Sequence, residues 1–141
     1  MQLEECSPIV ASIINKLEPL HVLDYGCGAD VALAKSLKDS VTCSFKYQAF
    51  DKDVPRFASD PLPADIVVCT TLLGGLDYEE SEEALEDLRR VTECVGFFVV
   101  SGSKRPAEWW LPRIMCRFDL QTFQVVGSDF YVVVYAQPRM I

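Results

Sequence analysis

One short segment, His21-Val22-Leu23-Asp24-Tyr25-Gly26-Cys27-Gly28, constrains the fold of this chain more than any other. An apolar run carries a carboxylate and ends in two glycines one residue apart. The helical pattern of about Asp30 to Lys38 follows, with Val31, Leu33, Ala34 and Leu37 recurring on one side. That order reads as strand, tight turn, helix. Glycine at the turn permits a left-handed backbone and lets a ligand approach the main chain closely. The start of a helix also presents N–H groups with no intrahelical partner. A unit of this kind belongs to an open α/β sheet, where ligands bind at the carboxyl ends of the strands near the topological switch point.

The rest of the chain alternates to match. Ser7-Pro8 reads as the start of a helix carrying Ile9, Ile13, Ile14 and Leu17, which Pro19 ends. Cys43 to Phe50 reads as a second strand, and Asp51 to Ala64 as a proline-bearing loop. Asp65 to Thr70 reads as a buried strand, apolar from Ile66 to Cys69, as strands covered on both faces are. Asp77, with Glu80 three residues on, makes an acidic capping box for a helix with the stripe Ala84, Leu85, Leu88, Val91. Val95 to Ser101 is another buried strand. Pro106 to Phe118 reads as a helix interrupted by Pro112. Leu120 to Val126 and Phe130 to Ala136 read as a hairpin across Gly127-Ser128-Asp129. This predicts one domain over residues 1–141, an α/β three-layer Rossmann-like sandwich whose sheet is mostly parallel with an antiparallel C-terminal strand.

Composition narrows the partners. Thirteen basic and 21 acidic residues give a net charge of −8, which disfavours non-specific attraction to nucleic acid. No apolar run reaches the roughly 18 residues of a membrane span. Met1 to Cys6 is acidic and lacks the basic start of a secretory signal, so a cytoplasmic location is expected. The six cysteines are widely spaced with no CxxC, and His21 is the single histidine. They read as reduced, mostly buried thiols, with no metal site expected.

Asp51 ends the second strand, 25 residues after Gly26. A carboxylate there can accept hydrogen bonds from two ribose hydroxyls, which points to an adenosine-containing cofactor. The dinucleotide fingerprint G-x-G-x-x-G needs glycine at 31, where Val31 stands, so a nicotinamide cofactor is disfavoured. Asp24, just before the turn, would repel a pyrophosphate.

Val22 to Gly28 resembles the first motif of class I S-adenosylmethionine-dependent methyltransferases, an acid followed by G-x-G-x-G. Tyr47 to Asp51 resembles the second motif, Ala64 to Thr70 the fourth, and Leu88 to Val91 with Gly96 to Val100 the helix and strand beyond. Residues 106–135 are similar to the tail of short methyltransferase-like proteins of bacteriophages and marine bacteria. The resemblance implies methyl transfer, with a small-molecule acceptor favoured over nucleic acid. It implies a cofactor site of Asp24, Gly26, Cys27, Gly28, Asp51, Lys52 and Thr70, and names no catalytic residue. Three departures favour the alternative of a non-catalytic cofactor binder or partner subunit. Asp30 replaces the third glycine, Thr71-Leu72-Leu73-Gly74-Gly75 replaces a polar acid-and-histidine segment, and Ser101 to Pro106 is short.

Thr70, Thr71, Ser101, Tyr78, Trp109 and Trp110 are candidates for the site rim. Trp109-Trp110 fits either an acceptor pocket or core and edge packing. Lys104, Arg105, Arg113 and Arg117 fit either an anion site or ordinary surface cations. The run Glu79 to Asp87 reads most simply as a solvated helix start, and Asp60 as an exposed loop acid.

Overall fold

The computed structural model describes residues 1–138. Helix α1 (Leu3–Leu17) leads into strand β1 (His21–Tyr25) and the short helix α2 (Ala32–Leu37). Strands β2 (Lys46–Phe50) and β3 (Ala64–Cys69) follow, then α3 (Tyr78–Val91), β4 (Thr92–Val100) and α4 (Ala107–Met115). Strands β5 (Phe118–Val126) and β6 (Asp129–Ala136) close the chain. The sheet order is β2-β1-β3-β4-β6-β5. Neighbours from β2 to β4 run parallel, and β6 runs antiparallel to both β4 and β5. The expected three-layer sandwich with an antiparallel last strand is the observed one.

The chain turns one way from β1 to reach β2 and the other way to reach β3, so β1 lies at the switch point. The Gly26–Gly28 turn opens there, at the carboxyl end of the sheet. Hairpin formation at β5–β6 follows from Gly127, whose φ of 62° suits the first central position of a type II′ turn.

Two apolar cores, one on each face of the sheet, hold the layers together. Leu23, Val67, Leu85, Leu88, Phe98, Trp110 and Phe118 pack between the sheet and α3 with α4. Val10, Ile14, Val22, Leu33, Ile66 and Phe97 pack between the opposite face and α1 with α2. Each such fully buried side chain contributes about 1.5–3 kcal/mol over exposure.

Several boundaries differ from expectation. Helix α1 starts at Leu3, with Pro8 inside it. Cys6, Val10 and Ile14 form one buried stripe that runs back past the proline, and this burial outweighs the single donor Pro8 lacks. Helix α2 is shorter than Asp30–Lys38, and Asp30 does not cap it: Val31 precedes it, with no side-chain cap. Helix α4 continues through Pro112 because Trp110 and Ile114 anchor it on the core. The Asp77–Glu80 capping box forms in both directions.

Candidate functional site

Gly26 and Gly28 both adopt positive φ, 85° and 73°. The Gly26 and Cys27 N–H groups donate to the Phe50 carbonyl at 2.7 and 3.1 Å, which ties the turn to the end of β2. Asp51, the next residue, completes the tie. Its Oδ2 accepts from the Gly28 N–H at 2.9 Å, and its Oδ1 accepts from the Asp53 N–H at 3.0 Å. Turn and carboxylate, 23 residues apart, thus form one unit. Val31 adopts φ 44° and ψ 50°, a left-handed conformation that strains a β-branched residue. Arg56 reaches across to donate to the Ala29 carbonyl and clamps the far side of the turn.

Asp24 lies beneath the turn, 1% exposed. The Tyr47 hydroxyl donates to its Oδ2 at 2.6 Å. Burial pushes the Asp24 carboxyl up to about 6, with the Tyr47 bond working against that rise and the Asp51 charge adding to it. The same burial and the Asp24 charge push the Tyr47 phenol above its ordinary value, so it remains a donor at neutral pH. Tyr47 was not singled out in the sequence. Register supplies it: Val22 pairs with Tyr47 and Asp24 with Ala49, which brings the phenol to the carboxylate.

A cavity of about 320 Å³ opens beside the turn, bounded by Gly26, Asp51, Lys52 and Leu72, with Glu80, Glu83 and Asp87 of α3 on the far wall. Its floor includes the Tyr25–Phe50 ring pair, 4.9 Å between centroids. Tyr25 is fixed there by donating to Asp87 Oδ2 at 2.5 Å. Of the expected cofactor residues, Gly26, Asp51 and Lys52 line the cavity, and Gly28 is bonded to Asp51. Cys27 is half-buried in the turn, its thiol pushed up to about 11 by burial and by Asp24 and Asp51, so it is a poor nucleophile. Thr70 is buried after β3 and outside the cavity wall. The hydroxyl that reaches the turn is that of Thr71, donating to the Gly26 carbonyl at 3.2 Å.

Gly74 has a steric role that the sequence did not reveal, whereas a Cβ on Gly75 would meet nothing within 4 Å. A Cβ on Gly74 would stand 1.6 Å from the Ser101 carbonyl oxygen. The loop after β3 therefore lies backbone against backbone on the end of β4, which no other residue type allows.

Trp109 and Trp110 lie outside the cavity wall. Trp110 is fully buried and donates through Nε1 to Ser103 Oγ at 3.0 Å. Trp109 lies under the Arg105 and Arg113 guanidinium groups, 4.4 and 3.9 Å from its ring centroid. Arg113 pairs with Glu82 at 2.9 Å, and Arg117 pairs with Glu82 at 2.5 Å and Glu86 at 2.6 Å. These two arginines, one in α4 and one just after it, are thus committed to pairing with α3, and part of the acidic run on α3 is cross-linking rather than merely solvated. Asp60 is exposed. All six cysteines are free; Cys94 and Cys116 are exposed, which departs from the expectation of mostly buried thiols.

No protein-family model and no curated protein matches the sequence. Solved structures do match the fold. Magnesium protoporphyrin IX methyltransferase from Synechocystis PCC 6803, solved with S-adenosylmethionine bound, aligns with a TM-score of 0.70 at 14% identity, covering 96% of this chain and 79% of that one. An O-methyltransferase family protein from Burkholderia thailandensis aligns at 0.67 and 10% identity, covering 93% of this chain and 56% of its own. A TehB-like S-adenosylmethionine-dependent methyltransferase from Corynebacterium glutamicum aligns at 0.56 and 19% identity, covering 91% and 86%. The chain thus spans little more than half the length of the Burkholderia protein. The shared fold is the Rossmann-like sandwich of these methyltransferases. Among the described residues, no helix is long and apolar enough to cross a membrane.

Proposed function

We propose that this chain binds S-adenosylmethionine across the Gly26–Gly28 turn and transfers its methyl group to a small-molecule acceptor. The observation that carries the reading is the Asp51–Gly28 bond at the switch point, beside a cavity large enough for a nucleoside. The residues present fit the cofactor. Each Asp51 oxygen accepts one backbone bond and keeps acceptor capacity for the ribose hydroxyls. A Cβ on Gly28 would meet nothing within 4 Å, so the turn is open on that side. Asp24 supplies negative charge beneath the turn, suited to an ammonium. Gly26 and Lys52, which line the cavity, complete the proposed cofactor side.

When bound, the cofactor supplies a methyl group already activated by its sulfonium. The protein's part is alignment of the acceptor and exclusion of water, worth up to about 7–11 kcal/mol in well-oriented reactions. No side chain is assigned as a base; a methyl acceptor needs one only when its proton must leave early. The net charge of −8 and the acidic cavity wall favour a small acceptor over nucleic acid. The kinship with short phage and marine-bacterial proteins, and a cytoplasmic location, belong to this proposal too.

Calorimetric titration with S-adenosylmethionine and S-adenosylhomocysteine tests it. Saturable heat that Asp51→Ala removes is expected; no heat at millimolar ligand would refute it. One observation favours a second reading, a binder without turnover: Leu72 Cβ lies 3.2 Å from where a Cβ on Gly26 would stand, so an apolar side chain crowds the turn. Cofactor binding with no methyl transfer across an acceptor panel selects that reading.

A further inference from the structure

The sheet has two edges, and they are treated differently. At the β2 edge, Gln48 clasps the passing chain. Its Nε2 donates to the Leu62 carbonyl at 3.0 Å and its Oε1 accepts from the Leu62 N–H at 2.8 Å. Pro61 and Pro63 flank that contact and offer no donors. β2 is short, five residues, and only Lys46 in it is fully exposed. At the other edge, β5 is nine residues long, contains no proline, lysine or arginine, and is exposed from Gln121 to Val125. A long edge that carries no charge beyond Asp119, and that no other segment among the described residues covers from Gln121 to Val125, is a template for pairing with another strand, and proteins ordinarily blunt such edges.

The register narrows what fits there. A bulge lies between Leu120 and Thr122, and beyond it β5 pairs regularly with β6. The regular stretch is Thr122-Phe123-Gln124-Val125-Val126, with no charged residue. Phe123 and Val125 stand 36% and 54% exposed on the face shared with Phe130, and the Phe123 and Phe130 rings lie 5.4 Å apart. The open groups are backbone donors and acceptors, so the occupant is a strand.

We propose that the occupant is the same strand of a second copy, antiparallel about a two-fold axis at Gln124. That register sets Phe123 against Val125 of the other copy, twice, and Thr122 against Val126, twice. Aromatic and β-branched cross-strand pairs of this kind are favourable. The single charge on β5, Asp119, lies outside the paired stretch, so no like charges face each other. In the single chain the Gln124 side chain donates to the Val125 carbonyl at 3.1 Å, and pairing replaces that bond with a ladder bond. Two five-residue stretches with their flanking side chains bury less than the roughly 1,200 Å² of standard interfaces, so the dimer is weak, with micromolar dissociation. The inference is independent of the cofactor.

Sedimentation velocity of the full chain from about 1 to about 200 μM tests it across the expected range of affinity. A monomer–dimer equilibrium is expected, and a monomer throughout overturns the proposal. Val125→Lys places two lysines beside the axis on an exposed site and is expected to raise the dissociation constant more than about tenfold, with unchanged circular dichroism and melting temperature. A dimer that Val125→Lys leaves intact overturns β5 as the interface. Gln124→Cys gives the complementary readout. Residues paired on the axis stand within disulfide reach, so mild oxidation should yield a 124–124 cross-link in peptide mass spectra. A heterogeneous cross-link through Cys94 or Cys116 instead, or capture of a different strand-bearing protein with no self-association, counts against it.

Discussion

Replacing Asp24 by asparagine should make this protein more stable and a worse cofactor binder. Asp24 is buried, and its carboxyl is raised from 3.8 to about 6, chiefly by burial. At about 1.4 kcal/mol per pH unit, the ionised form costs about 3 kcal/mol in the folded state relative to the unfolded one. The sign follows from the direction of the shift. A raised folded-state value gives stability that is fully present below the unfolded value near 3.8 and is lost as pH rises through about 6. Asparagine keeps an oxygen to accept the Tyr47 hydroxyl but carries no charge to desolvate. Urea denaturation of both proteins from pH 4 to pH 8 reads the difference directly, because every other titrating group is common to the two. Asp24→Asn should gain up to about 3 kcal/mol at pH 8, and the gap should close toward pH 4. Titration with S-adenosylmethionine should show the reverse, about tenfold weaker binding of the variant at pH 8, a cost of about 1.4 kcal/mol. A stability gap that stays flat across this pH range would refute the reasoning, since a buried ionised carboxylate cannot be pH-independent.

Other outcomes follow from the same geometry. Gly74→Ala drives a Cβ to 1.6 Å from the Ser101 oxygen and should lower unfolding free energy by about 3 kcal/mol or more. Gly28→Ala meets no atom within 4 Å but retains a φ of 73°, so about 1–2 kcal/mol is expected; urea midpoints in the opposite order would contradict the steric account. Arg117→Ala removes the bonds to Glu82 and Glu86 and should cost about 1–2 kcal/mol, the deficit shrinking in high salt. Arg117 holds the Glu82 carboxyl below its ordinary 4.5, so the share of the deficit that comes from Glu82 should be lost as acid protonates it. Asp51→Ala frees the Gly28 and Asp53 N–H groups and should abolish cofactor heat in calorimetry while lowering the melting temperature by a few degrees, the effect of about 1 kcal/mol in a chain this size.

Local sequence determined the elements and their order. Alternating apolar runs and helical stripes specify a parallel α/β sandwich, the Asp77–Glu80 box starts α3, and Gly26 and Gly28 mark the turn, because each of these effects acts within a few residues. The position of Asp51 at the end of β2 is local too, but its bond to the Gly28 N–H joins residues 23 apart and comes from the fold. Tertiary structure decided the rest. The insertion of β6 between β4 and β5 is a pairing choice between distant strands. Tyr47 reaches Asp24 only through the β1–β2 register, and Gly74 is needed only because the chain folds the Ser101 backbone onto it. Asp30, where the helical pattern begins in the sequence, lies outside α2, which starts at Ala32 and leaves Val31 left-handed. Contacts between residues far apart in the chain depend on register and packing, and neither is encoded in the spacing of residues along one segment.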